Sequence, residues 1–232
     1  MYAEEYTYFD KYMTHSETIA GLAESLSKKV PKRYKQKIIL YTNGISAKLS
    51  NASYSHSNLI ALKNLPDEYS STDELDIPVS DRIHFYTDSF FAFLYSSFDV
   101  TAQVINQKLR LGIDEHKVSI KRVKDEIDRI TPAPPLKRLL DLLFKSKYFK
   151  NLERYRNCST HRRQIYLKTT TVSVSETPGY NSTAKLTEVK RILCDDPLSL
   201  NPTVKQNREL ISYTSELYNK VEKEVILILK NI

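Results

Sequence analysis

RIHFYTDSFFAFLYSSFDVTAQVINQKLRL, residues 82–111, is the stretch on which the fold turns. Ile83, Phe90, Phe91, Leu94, Phe98, Ile105 and Leu109 recur at three- and four-residue spacings, which gives a helix with a broad apolar face. Asp88, Asp99 and several serines interrupt the apolar run, so the helix reads as a buried core element rather than a membrane span. Ser80 or Asp81 is placed to cap its start, and Gly112 to end it.

Helical signals continue on both sides. Tyr6, Phe9, Tyr12, Met13, Ile19, Leu22 and Leu26 predict a first helix within residues 3–29, and Pro31 marks the start of a second that runs to about Asn64. An acidic stretch with prolines near both ends, LPDEYSSTDELDIPVS, then predicts a loop. After Gly112, DEHKVSIKRVKDEIDRI predicts a short charged helix from Asp114, and TPAPP a rigid break. The following LKRLLDLLFKSKYFKNLERYRNCSTHRRQIY is helical again, in two pieces dividing near Ser146.

The period then changes. TTTVSVS alternates and is β-branched, Pro178-Gly179 is a turn signal, and AKLTEVKRIL alternates again, so residues 167–193 predict a β-hairpin. The closing segment from Thr203 predicts a long helix with Leu210, Leu217, Val221, Ile228 and Ile232 along one stripe. The expected architecture is mainly α: one helical domain over residues 1–232, a bundle with a hairpin insertion.

Composition excludes several classes. Two cysteines and five scattered histidines, with no CxxC pair, predict neither a disulfide scaffold nor a metal site. Four glycines leave no phosphate loop and no nucleotide-binding strand–turn–helix. The acidic N-terminal stretch lacks the layout of a signal peptide, so the expected location is cytoplasmic, with no membrane partner.

The net charge of +7 is unevenly placed. Residues 1–103 hold 10 Lys/Arg against 13 Asp/Glu, residues 104–168 hold 17 against 7, and the remainder balances at 8 of each. A local excess of that size is the footprint of a polyanion-binding surface.

Within it lies RYRNCSTHRR, residues 154–163. On one helix, Arg154, Asn157 and His161 share a face, whereas Arg156 lies roughly 140° from His161. Arg162 and Arg163 add charge just beyond. Such a set suits RNA cleavage by its own 2′-hydroxyl. Histidine exchanges protons near neutral pH, arginine matches phosphate oxygens, and the scheme requires no metal or cofactor. The plain alternative is a polar helix stripe.

Arg156-Asn157-x-x-x-His161 resembles the Arg–polar–x(3)–His signature of the HEPN superfamily, and FFAFLYSSFDVTAQVIN resembles the long apolar helix that precedes it in those domains. The resemblance covers about residues 80–166 plus the final helix. It implies a helical bundle that dimerises, bringing two motifs into one cleft, and in active members a metal-independent endoribonuclease. By it His161 is the acid–base residue, Arg156 the phosphate clamp, and Asn157 the residue that orients or contacts phosphate. Arg154, Arg162 and Arg163 are expected to bind RNA. Arg154 also fits the long-spacing form of the motif, so either arginine fits the role of partner to His161. Some HEPN toxins carry a Tyr two residues after the His, the target of a nucleotidyltransferase. Arg163 stands there in this chain, with Tyr166 the nearest tyrosine.

The leading expectation is thus a homodimeric, toxin-like ribonuclease acting in defence or growth control, with a protein regulator as a further partner. Two other classes stand beside it: a non-catalytic module holding RNA or protein, and a small-nucleotide-binding domain. Of the remaining polar residues, His84 reads as a satisfied boundary residue and Cys158 as a small packing residue. A carboxylate at Asp88 or Asp99 could pair with the motif arginine.

Overall fold

A computed structural model describes residues 18–28, 30–63, 78–130, 134–161, 165, 167–175, 186–194 and 208–232. Helix α1 covers residues 18–27, followed by α2 (Lys32–Lys63) and α3 (Val79–Leu109). A 3-10 turn, Glu115–Lys117, leads to α4 (Ile120–Arg129), α5 (Pro134–Lys145) and α6 (Lys147–His161). Strands β1 (Leu167–Ser175), β2 (Leu186–Cys194) and β3 (Arg208–Glu209) precede the last helix, α7 (Leu210–Lys230). Among the described residues the result is a helical bundle carrying one small antiparallel sheet in the order β1-β2-β3.

Helices α2 and α3 form an antiparallel pair. Tyr54 meets Tyr86 edge-on at 6.3 Å, while a Cβ added to Gly44 would lie 3.2 Å from Val100 Cγ1. The seam residues recur at spacings of three and four, in strict alternation on α3 and with one repeated three, at Leu49-Ala52-Ser55, on α2. Ile38, Thr42, Ile45, Leu49, Ala52, Ser55, Leu59 and Leu62 are buried on α2, and Ile83, Thr87, Phe90, Leu94, Ser97, Thr101 and Val104 on α3. Spacings near 3.5 residues keep the apolar stripe of each helix facing its partner along the pair. The hydroxyls in the seam cost little, because each donates to its own helix: Thr42 to the Ile38 carbonyl, Thr87 to that of Ile83 and Thr101 to that of Ser97, all at 2.7 Å.

The core helix ends differently from the sequence expectation. Its N-cap position is Pro78 with no side-chain cap, rather than Ser80 or Asp81. At its C-terminus the left-handed residue that turns the chain is Arg110 (φ 55°), with Gly112 (φ 72°) two residues on. Asn106 makes this tolerable by clasping the loop: its side chain donates to the Ile113 carbonyl at 2.8 Å and accepts from the Ile113 N–H at 3.2 Å.

The charged helix expected from Asp114 is divided. Ser119 accepts from the Arg122 N–H at 3.2 Å and so caps a separate α4. Pro134 and Pro135, expected in a break, stand instead in the first turn of α5, where a missing N–H is harmless. Ser146 divides α5 from α6 as expected, and accepts from the Phe149 N–H at 3.3 Å.

The hairpin forms with Leu167 opposite Cys194 and Ser175 opposite Leu186. Its base joins the core through Ile192 and Cys194, both buried. The closing helix begins at Leu210, later than expected, because Arg208–Glu209 pairs with Leu193–Cys194 as β3. Glu209 then caps α7 by accepting from the Ser212 N–H at 2.7 Å. The expected apolar stripe is buried at Leu210, Leu217, Val221 and Ile228. Of the expected acidic loop at residues 65–80, residues 65–77 lie outside the described residues and Val79 and Ser80 belong to α3 instead. The expected turn at Pro178-Gly179 and Tyr6, Phe9, Tyr12 and Met13 of the first helix also lie outside them.

Candidate functional site on helix α6

Helix α6 lies against α3 with opposite direction. Phe149, near its start, meets Phe98 edge-on at 5.2 Å, and Tyr155, two turns later, stacks on Phe91 at 4.4 Å and 10°. Phe149, Leu152, Tyr155 and Cys158 are buried, so one side of the helix is committed to the core. Tyr155 is held at both ends. Its ring is sandwiched near Phe91 and Tyr213, and its hydroxyl lies 3.8 Å from Cys194 Sγ and accepts from Arg208 Nη1 at 3.5 Å. Burial raises its proton affinity far above that of an ordinary tyrosine, so it stays neutral.

The two residues flanking the anchor diverge, since successive residues on a helix point about 100° apart. Arg156 turns toward α3. Its guanidinium sits 4.6 Å above the Tyr95 ring, Nη1 donates to Asn157 Oδ1 at 2.8 Å, and Nη2 lies 3.9 Å from Asp99 Oδ2. The side chain remains 31% exposed, so the cradle positions the cation without removing it from solvent. Arg154 is exposed on the outer side of α6.

Asp99 is the centre of this arrangement. Its Oδ1 accepts from the Ile120 N–H at 3.1 Å, satisfying one of the N–H groups that a helix start leaves without a partner. Burial raises the proton affinity of this carboxyl, while the Ile120 N–H and then Arg156 oppose the rise. One carboxylate therefore joins three helices: α3, which carries it, α4, which donates to it, and α6, whose motif arginine faces it.

Asp88 has the opposite circumstances. Its Oδ1 is buried with no hydrogen-bond partner, and burial pushes the carboxyl up to about 6. His84, one turn earlier on the same side of α3, also has a buried and unpartnered atom, Nδ1, and burial lowers its proton affinity. The expectation of a satisfied His84 is thus corrected: among the described residues none hydrogen-bonds to its inner nitrogen. Of the two aspartates proposed to pair with the arginine, Asp99 does so and Asp88 does not.

The sequence-derived residues are therefore distributed as follows. Arg156 and Asn157 are in contact. Arg154 and Asn157 share with the backbone position of His161, in the last turn of α6, the face opposite the buried one. Arg162 and Arg163 lie outside the described residues. Sequence reasoning missed Tyr95, whose spacing of one turn from Asp99 was the available signal. Among the described residues, no group of three or more His, Cys, Asp or Glu side chains is arranged to hold a metal ion, and no helix is long and apolar enough to cross a membrane.

A family model described as HEPN_Cthe2314-like HEPN matches residues 41–216, from within α2 into α7 and across the whole of α6. No curated protein and no solved structure matches the chain. The match spans most of the sequence and includes both the long apolar helix and the Arg-Asn-x-x-x-His segment packed on it, and the chain belongs to the HEPN_Cthe2314-like HEPN family.

Proposed function

We propose that this HEPN protein is a metal-independent endoribonuclease that works as a homodimer, in defence or growth control. The observation that carries this reading is the placement of Arg156-Asn157-x-x-x-His161 on α6, with the Arg156 guanidinium held by Tyr95, Asn157 and Asp99. In the proposed reaction His161 takes the proton from the ribose 2′-hydroxyl. The oxygen attacks the adjacent phosphorus, the bond to the 5′-oxygen breaks as that oxygen takes the proton His161 has picked up, and a 2′,3′-cyclic phosphate remains. Arg156 neutralises charge on the phosphate, and Asn157 fixes the direction of that guanidinium. Arg154, Arg162 and Arg163 hold the neighbouring backbone. Pairing of two chains would place two motifs in one cleft, and a protein regulator would act by covering it.

The test is RNA cleavage by the purified protein in EDTA, beside a folded His161→Ala variant. Cleavage by the wild type alone, with 2′,3′-cyclic phosphate ends, is the expected result. Equal cleavage by both proteins, or none across several RNAs, overturns the catalytic reading. A second reading, a non-catalytic module that binds RNA or protein, is favoured by one observation: Arg156 is turned toward Asp99, roughly 140° around the helix from His161. In that case Arg156 serves the packing of α6 on α3, and a chain whose oligomeric state is monomeric by sedimentation would agree with it.

A further inference from the structure

The basic excess of residues 104–168 is not all available to a partner. Lys124 is engaged by Asp128 and by Asp141, Lys137 by Asp128, Lys117 by Asp114 and Arg129 by Glu126. Arg156 faces Asp99. Exposed cations that no carboxylate engages also stand on α4 (Lys121, Arg122) and α5 (Arg138, Lys145), but α6 carries three of them in one file: among the described residues no carboxylate engages Lys147, Lys150 or Arg154, all exposed. At about 100° per residue, these three and Asn157 all fall within roughly 40° of the His161 position, on the side opposite Leu152 and Tyr155. They form a single file about 20 Å long, at 1.5 Å rise per residue from Lys147 to His161. Glu153, the one acid of α6, leans instead toward Tyr95 on α3.

We propose that Lys147, Lys150 and Arg154 form a phosphate-tracking strip that lays a single-stranded RNA along the outer face of α6, leading from the α5–α6 junction to His161. A single row of unpaired cations ending at a proposed cleavage residue fits a thin, evenly charged polymer. It suits a membrane surface or a protein partner less well, since both draw on apolar contact as well as charge. None of the large exposed apolar side chains (Ile39, Leu40, Tyr54, Phe85, Ile130, Leu142, Leu227) lies on α6, so the strip offers neither an insertion wedge nor an apolar anchor. The assignment rests on the catalytic reading only for its direction toward His161; the strip itself follows from charge and exposure.

The experiment measures binding of a fluorescent single-stranded RNA in EDTA across a salt series, on a His161→Ala background so that the probe survives. Lys147→Ala/Lys150→Ala is compared with Lys121→Ala/Arg122→Ala, which removes the same charge from the exposed face of α4. The first pair is expected to weaken binding about ten-fold and to make the log–log salt slope shallower by about 1.4, while the second changes affinity less than about two-fold. Equal losses from both pairs, or none from the first, overturn the strip. Competition by polyglutamate as strong as by RNA also overturns it, since the partner would then be any acidic chain. Cleavage by the wild type together with an unaffected Lys147→Ala/Lys150→Ala pair removes the strip and leaves the catalytic reading standing. Selective loss of binding in a protein that never cleaves does the reverse.

Discussion

The two ends of the α3–α6 contact place the same side chain in opposite situations. At one end Asp99 receives the Ile120 N–H and faces Arg156. At the other end Asp88, eleven residues earlier on the same helix, has a buried oxygen with no partner. Both carboxyls are raised by desolvation, and only Asp99 has anything to oppose the rise. The comparison teaches that burial alone does not make a carboxylate structural. A donor does, and here the donor is supplied by the start of a different helix.

Between the two ends lies the Phe91–Tyr155 stack, and removing it tests whether they belong to one rigid contact. Tyr155→Ala is expected to cost about 3–5 kcal/mol, read as a lowered denaturant midpoint. A loss under about 1 kcal/mol would mean that the ends hold α6 independently. Asp99→Ala should cost about 1–3 kcal/mol, because it strands the Ile120 N–H and leaves Arg156 with Tyr95 and Asn157. Faster amide exchange at the start of α4 would locate that loss.

Asp88→Asn should act in the opposite direction, stabilising by about 1–2 kcal/mol near pH 7 after allowance for its partial solvent access. The sign follows from proton binding. The folded carboxyl, at about 6, holds its proton more tightly than the ordinary value of 3.8. Stability therefore falls as pH rises from about 4 to about 6 and stays lower above that. The variant should flatten this fall without erasing it, since Asp99 shifts in the same direction. A pH–stability curve identical to that of the wild type would show that Asp88 is solvated after all. The smallest effect is expected for Ser119→Ala, about 0.5–1 kcal/mol, because Asp99 still holds the next residue of α4.

How much of this was legible beforehand follows from where each feature is encoded. The core helix, the α5–α6 division at Ser146 and the hairpin depend on local period and on capping residues, and all are visible in the chain itself. Local pattern also pointed to the Arg-Asn-x-x-x-His segment. The strand at Arg208–Glu209 was not legible, since only its pairing with Leu193 and Cys194 distinguishes it from a helix start. The division before α4 required recognising Ser119 as a cap, in a segment whose charge pattern alone reads as continuous. The Arg156 cradle depends on the register of α3 against α6, so Tyr95 and Asp99 could be suspected from spacing but not assigned. His84 misled for the same reason: a boundary position gives no hint of whether a neighbour comes within reach.

Tyr155 has one more consequence, a mechanical one. It sits between Arg154 and Arg156 in the chain, wedged among Phe91, Tyr213, Cys194 and Arg208. Swinging Arg156 outward by rolling α6 about its axis would first require lifting this ring out of its slot. The tyrosine thus acts as a key in a shaft. It fixes the angular setting of the helix, so that Arg156 stays beside Tyr95 and Asp99 with its guanidinium still reached by solvent, while Arg154 points outward.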